Sequence, residues 1–174
     1  AAQALGDLKD GEAVSLLQQA LKDETSAVCS TAAWALGEIG DSCAIPDLLK
    51  ALDNLGSEVR IQAATALALL RAEEAVTPLL ALLQDLIVDV RGTAVWALGE
   101  IQSPASLNAL INTFADPDPD VQGQVYESLL NWADNDAEPV IAALNSEYTL
   151  AQANANDPVQ AGIEACLRAL NISV

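Results

Sequence analysis

Histidine and methionine are absent from this chain of 174 residues, and aromatic residues make up only 3% of it. Without histidine there is no Ser–His or Cys–His nucleophile and no zinc site of ordinary composition. Basic residues are scarce too: seven Lys and Arg stand against 25 Asp and Glu, for a net charge of −18. From Gly92 to Leu167 there is none, while eleven acids fall in that stretch. Nucleic-acid backbones need clustered cations that neutralise phosphate, and this chain has almost none to offer. Anionic membrane surfaces are disfavoured for the same reason. No run approaches twenty uninterrupted apolar residues, so membrane insertion is not expected. Cys29, Cys43 and Cys166 are odd in number and lack a C-x-x-C spacing. They read as small hydrophobic packers in a reducing, cytoplasmic compartment. No charged segment followed by an apolar core opens the chain, so a signal peptide is not seen. The start at Ala1-Ala2-Gln3, with no Met anywhere, gives the expectation of a fragment from a longer chain.

What is present is small and apolar. Residues of apolar type reach 52%, dominated by Ala, Leu, Val and Ile, and strict two-residue alternation is missing. Ala and Leu are strong helix formers, so the fold class is all-α. The hexapeptide Trp-Ala-Leu-Gly-Glu-Ile occurs at Trp34–Ile39 and again at Trp96–Ile101, 62 residues apart. Half that distance is the true period. Val28, Val59, Val90 and Val121 follow one another at steps of 31, and Val159 follows after a longer step of 38. Four, seven and eight residues after the first three lie Ala32, Ala35 and Leu36, then Ala63, Ala66 and Leu67, then Ala94, Ala97 and Leu98. The next units give Val125, Ser128 and Leu129, and Ile163, Cys166 and Leu167, while Ala1, Ala4 and Leu5 occupy the same places at the start.

Each unit predicts two helices of about twelve residues joined by short turns. The first ends near Leu36-Gly37-Glu38-Ile39-Gly40-Asp41 and its equivalents. Gly6, Gly37 and Gly99 share one repeat position, where close packing or a helix end is expected. Asp10, Asp41 and Asp134 recur at the junction, where a carboxylate can cap the next helix. Pro46 and Pro78 are tolerated in the first turn of the second helix. A lone helical hairpin cannot bury its apolar stripe, so the units must stack into a right-handed α-solenoid. Repeats are expected over about 1–27, 28–58, 59–89, 90–120 and 121–158, with a terminal helix over 159–174, as one repeat domain.

The run Val-Arg…Ala-x-x-Ala-Leu-Gly-x-Ile-Gly-Asp…Ala-Ile-Pro-x-Leu-Leu resembles the short HEAT repeats of the phycobilisome lyase-type HEAT-like family. The resemblance covers Ala1–Phe114, weakens over Val121–Ala143 and resumes at Val159. It implies protein binding along a concave surface formed by the second helices. Some relatives, as heterodimers, attach bilins to phycobiliprotein cysteines or detach them, and those that also isomerise the bilin carry a His-Cys pair that this chain lacks. The family's Arg at the second repeat position is Arg60 and Arg91 here. Cys29, Gln122 and Gln160 replace it elsewhere, so an inter-repeat Arg–Asp ladder is expected to break at both ends.

Candidate sites are few. Asp116, Asp118, Asp120 and Glu127 fall at positions 1, 3, 5 and 12 of a calcium loop. Position 6 is Val121 rather than the required glycine, and the competing reading is a solvated turn whose prolines separate two helices. Trp34 and Trp96 sit at the seventh position of a first helix, where other units place Gln3, Thr65 and Glu127. Polar occupants there imply a solvent face, and two indoles two units apart would lie roughly 20 Å from each other on it. The alternative is that each lies flat as structural cover. Trp132 occupies a different repeat position and is expected in the core. Leu86 and Ile87, with Val88, replace polar turn residues and form either a buried extension or an exposed apolar lip. The insert between Leu144 and Asp157 reads as a loop.

The function that follows is a non-enzymatic protein–protein interaction scaffold or adaptor with no cofactor. The expected partner is a protein, a basic surface being attracted by the acidity, with neither nucleic acid nor membrane insertion. The alternative, which rests on the resemblance, is a non-isomerising subunit of a phycobilin lyase or a chromophore-detaching, phycobilisome-associated factor, with a phycobiliprotein as partner.

Overall fold

The computed structural model describes residues 11–152 and 158–172, and within them the chain forms ten α-helices and no strand. First helices of successive units are α2 (Ser26–Ile39), α4 (Ser57–Leu69), α6 (Val88–Ile101) and α8 (Pro119–Asn135). Second helices are α1 (Gly11–Ala20), α3 (Ile45–Ala51), α5 (Val76–Leu82), α7 (Leu107–Asn112) and α9 (Ala137–Ala151). The chain closes on α10 (Pro158–Ala169). The result is the α-solenoid expected from the period: first helices pack side by side, and each second helix rests on the first helix that follows it. Ala1, Gln3, Ala4, Leu5, Gly6, Asp10 and the tip Asn154–Asp157 lie outside the described residues.

The core is the repeat pattern made physical. Leu36, Leu67, Leu98, Leu129 and Leu167 are all fully buried, as are the Ala, Ser or Cys one residue before and the Ala, Val or Ile four before. Each such leucine contributes about 2 kcal/mol of transfer free energy on burial. Because the remaining contact residues are small, adjacent first helices approach until backbones nearly touch. A Cβ built on Gly37 would lie 2.8 Å from the Cα of Ala66, and one on Gly99 would lie 2.7 Å from the Cβ of Ser128. The glycine position therefore serves close packing and not a helix end. At the first unit the register shifts slightly: Val28 is 39% exposed and Cys29 takes the buried place, whereas Val59, Val90 and Val121 are in the core.

The helix end falls three residues later. Gly40, Arg71, Gln102 and Asn171 are all left-handed, with φ of 75°, 48°, 57° and 59°. Each is the thirteenth residue of its unit, so the last unit keeps the register after its longer step. Only the first is glycine, and a side chain at positive φ costs roughly 1 kcal/mol. Gln102→Gly is therefore expected to raise stability by about 0.5–1 kcal/mol, read as the urea midpoint at unchanged slope.

Several expectations are corrected. The second helices α3, α5 and α7 have only six or seven residues, each entered through a 3-10 turn: Ser42–Ala44, Glu73–Ala75 and Pro104–Ser106. Asp41 does cap its turn, accepting from the Cys43 N–H at 2.9 Å. Asp134 caps nothing, because α8 runs straight through to Asn135. Ala133 stands where other units turn left-handed, and as a strong helix former it resists that conformation. The insert after Leu144 is helical up to Ala151. Trp132 is core, as expected. Cys43 is exposed and so is no core packer, whereas Cys29 and Cys166 are buried.

Candidate functional site

Residues four apart on a helix share a face, so the repeat positions around each tryptophan can be followed across the solenoid. The seventh-position row reads Trp34, Thr65, Trp96, Glu127, and the row one turn later reads Glu38, Leu69, Glu100, Asn131. The row that opens the helices adds Glu58, Asp89 and Asp120. One face of four adjacent first helices thus presents two indoles and six carboxylates. Among the described residues every cation is committed to an internal carboxylate: Lys22 and Lys50 to Asp47, Arg60 to Asp85, Arg71 to Glu100, Arg91 to Asp116 and Arg168 to Glu164. Arg71 is the cation that reaches this face, and it also donates to the Glu100 carbonyl at 2.7 Å.

Trp34 and Trp96 are each half-buried and packed against the core, and each lines an open slot between its helix and the next. The Trp34 slot encloses about 180 Å³ beside Glu58 and Gln62. The Trp96 slot encloses about 190 Å³ beside Glu100, Glu127 and Asn131, with Gly99 leaving its wall bare. Sequence reasoning found the indoles and missed their acidic neighbours: Glu58 and Glu127 come from the following helix, and Glu100 from one turn on along the helix of Trp96.

Between units runs the ladder. Arg60 grips Asp85 in a two-pronged pair at 2.8 and 2.9 Å, and Arg91 grips Asp116 at 2.7 and 2.9 Å. Each Arg also donates to the carbonyl six residues before it, Asn54 for Arg60 and Asp85 for Arg91. Gln122 makes the same carbonyl bond to Asp116, and the Cys29 thiol makes it to Asp23. The expected breaks at Cys29 and Gln122 are therefore half-breaks: the carboxylate arm is lost and the backbone arm remains. Among the described residues the carboxamide or carboxylate at the partner position accepts a backbone N–H two residues on, at Asp23, Asn54, Asp85 and Asp116. The Arg91 hydrogen bonds hold the Asp116 carboxyl below its ordinary range against the opposing effect of burial. Burial pushes Asp85 up, but Arg60, the Ile87 N–H and Arg91 together outweigh it and leave its carboxyl lowered.

These bonds also place the calcium-loop candidates. Asp116 faces Arg91, Asp118 caps α8 by accepting from the Asp120 N–H at 2.9 Å, and Glu127 lies two turns along α8 beside Trp96. The carboxylates do not converge, and among the described residues no three His, Cys, Asp or Glu form a metal-holding group.

Leu86 and Ile87 form the exposed lip rather than a buried extension: Leu86 is 95% exposed, and Leu55, one unit earlier, is 100% exposed. Ile87 occupies the N-cap of α6 with no side-chain bond to offer, where Asp118 caps the next unit. Folding gains little from leucine at such a tip, so Leu86→Ser is expected to change stability by less than about 0.5 kcal/mol in denaturant titration. Behind the lip a cleft of about 620 Å³ opens between α5 and α7, lined by Leu80, Leu83, Ala109 and Asn112 with the Arg91–Asp116 pair at one side. Nothing in the spacing of residues announced it, because it arises from the shortness of the second helices. The buried Cys166 thiol is pushed up to about 12 by desolvation and stays protonated. Among the described residues no helix is long and apolar enough to cross a membrane.

Helix pairs stacked at a 31-residue period define a helical-repeat solenoid. The HEAT-repeat profile matches residues 1–68 and 45–130, and the chain belongs to that family. No curated protein matches it. Among solved structures, the complex of CpcE and CpcF of phycocyanin lyase from Nostoc sp. PCC7120 is similar at 24% identity and TM-score 0.66, over 99% of this chain and 82% of that one. An engineered protein from the Northeast Structural Genomics Consortium is similar at 23% identity and TM-score 0.63, over 98% and 84%. A designed armadillo repeat protein in complex with the peptide (KR)4 follows at 22% and 0.59, over 98% and 91%. At these identities the likeness concerns the fold.

Proposed function

We propose that this protein is a non-enzymatic interaction scaffold that binds a partner polypeptide on its solenoid surface. The observation that carries the reading is the first-helix face, where Trp34 and Trp96 pack against the core and each also line an open slot. Half-buried indoles held by a rigid helix stack offer large contact area at low entropic cost, the usual property of interface anchors. The Leu86–Ile87 lip is the secondary contact, since both apolar side chains stand exposed there. The similar designed armadillo protein binds a peptide, which is in keeping with this use of a helical stack. Random peptides displayed on phage, selected on the wild type and counter-selected on Trp34→Ala/Trp96→Ala, test it. Enrichment of sequences that need the tryptophans is expected. A selection in which nothing depends on either the tryptophans or Leu86 and Ile87 would remove the reading.

A second reading is favoured by the likeness to the phycocyanin lyase complex across nearly the whole chain. In it the protein is a non-isomerising subunit of a phycobilin lyase or a chromophore-detaching factor, contributing surface more than catalytic groups. An open-chain tetrapyrrole added with a phycobiliprotein should then show a shifted absorption band dependent on this chain. An unchanged spectrum with the phycobiliprotein present rules it out.

A further inference from the structure

Resting on the scaffold reading, we infer that the first-helix face binds an extended, arginine-rich segment whose cations stack on Trp34 and Trp96. Three observations converge. Each indole lies beside a carboxylate from the next first helix, Glu58 at Trp34 and Glu127 at Trp96, and Trp96 also has Glu100 one turn on along its own helix. A cation over an indole face with a carboxylate at its edge gains both quadrupole and ionic attraction. Next, the described cations are all paired internally, Arg71 with Glu100 itself, and none of these ion pairs involves Glu58 or Glu127. Third, the neutral neighbours on the face are hydrogen-bonding amides: Gln62 donates to Glu58 at 2.9 Å and Asn131 to Glu100 at 3.4 Å. The amides hold the carboxylates in place, and Glu58 keeps its full charge while Glu100 shares its own with Arg71. Arginine suits the site better than lysine, because its planar guanidinium stacks on the ring while its edge donates to the acid.

The geometry sets the length of the ligand. Two helix-to-helix steps of about 10 Å separate the indoles by roughly 20 Å. An extended chain advances about 3.3 Å per residue, so arginines about six residues apart reach both slots. Between them the segment crosses α4 over Thr65 and the half-exposed Leu69, where a small or apolar residue fits. A neutral or acidic segment gains nothing from the six carboxylates and is repelled or ignored.

The test uses fluorescein-labelled deca-arginine, long enough to span both slots, with anisotropy read at low and moderate salt. Wild type is expected to bind, with affinity falling steeply as salt rises. Trp34→Ala/Trp96→Ala is expected to weaken binding at least tenfold. Because that variant also removes packing, Trp34→Phe/Trp96→Phe serves as a second probe: it keeps a ring on the core and is expected to lose severalfold, since phenylalanine is the weaker cation partner. Glu58→Gln/Glu127→Gln is expected to lose severalfold and to flatten the salt dependence, whereas Asn112→Ala in the cleft between α5 and α7 is expected to bind as wild type. Equal binding by wild type and both tryptophan variants overturns the inference. So does a loss caused by Asn112→Ala alone. Phage selection separates the levels: enriched peptides without arginine sink this inference and leave the scaffold reading, whereas no enrichment sinks the scaffold reading itself.

Discussion

Gly37→Val is expected to lower stability by about 3 kcal/mol, while Gly123→Ala raises it by about 1 kcal/mol. Both glycines sit inside first helices, and the opposite signs come from what a side chain would meet. At Gly37 a Cβ would stand 2.8 Å from the Cα and 2.9 Å from the Cβ of Ala66. Backbone cannot rotate out of the way, so α2 and α4 must separate and the leucines beneath them lose contact. The gain in helix propensity, roughly 0.3–0.5 kcal/mol for valine over glycine, offsets only a small part of that. At Gly123 a Cβ meets nothing within 4 Å, and only the propensity gain remains. Thermal unfolding should show the contrast clearly, since about 1 kcal/mol moves the midpoint by 2–4 °C in a chain of this size. Equal shifts for the two substitutions would mean that backbone approach does not hold the stack together.

The second large effect lies in the ladder. Asp116→Ala is expected to cost about 3 kcal/mol, because it strands the Arg91 guanidinium and removes the acceptor that fixes the Asp118 N–H. Both partners are nearly buried, with side chains 11% and 5% exposed, so water does little to rescue the survivor. Arg91→Gln/Asp116→Asn is expected to cost less than either Arg91→Gln or Asp116→Ala. Gln122 shows that glutamine keeps the backbone arm, and Asn54 shows that asparagine keeps the turn. Acid should reveal the same pair. The folded carboxyl of Asp116 lies below its unfolded value, so its stabilisation is complete above the ordinary range near pH 4 and is lost as pH falls through the lowered value. The gap between wild type and Asp116→Ala should therefore narrow on acidification, measured as urea midpoints at successive pH values. A gap that widened would contradict the direction of the shift.

How legible this was differs by level. The buried row of Leu36, Leu67, Leu98 and Leu129 could be read because a 31-residue period leaves the same side chain facing the same neighbour in each unit. Gly37 was ambiguous, since glycine serves both close approach and left-handed ends, and only the position of Ala66 decides between them. The true ends at Arg71 and Gln102 gave no signal, because tertiary packing imposes a conformation that those residues do not favour. Asp134 misled through register alone: it occupies the place of Asp41, yet Ala133 and the buried Trp132 carry α8 past it. At the candidate site, both tryptophans were visible as aromatic residues at polar positions. Their carboxylate neighbours were not, because Glu58 and Glu127 reach the slots from a helix one unit away. The cleft behind Leu86 was invisible for a similar reason, being space left by second helices of six or seven residues.

A cationic segment lying across the first-helix face would touch two of the three tryptophans, Trp34 and Trp96. Nitrogen-15 correlation spectra of the protein, titrated with deca-arginine, test it directly, since each indole N–H gives its own resonance. Assignment follows from Trp34→Phe, Trp96→Phe and Trp132→Phe. The resonances of Trp34 and Trp96 are expected to shift together along one saturable curve, with Trp132, buried in α8, unmoved. Shifts confined to the backbone of Leu80, Ala109 and Asn112, with all three indoles still, would contradict the claim and move the binding surface to the second helices.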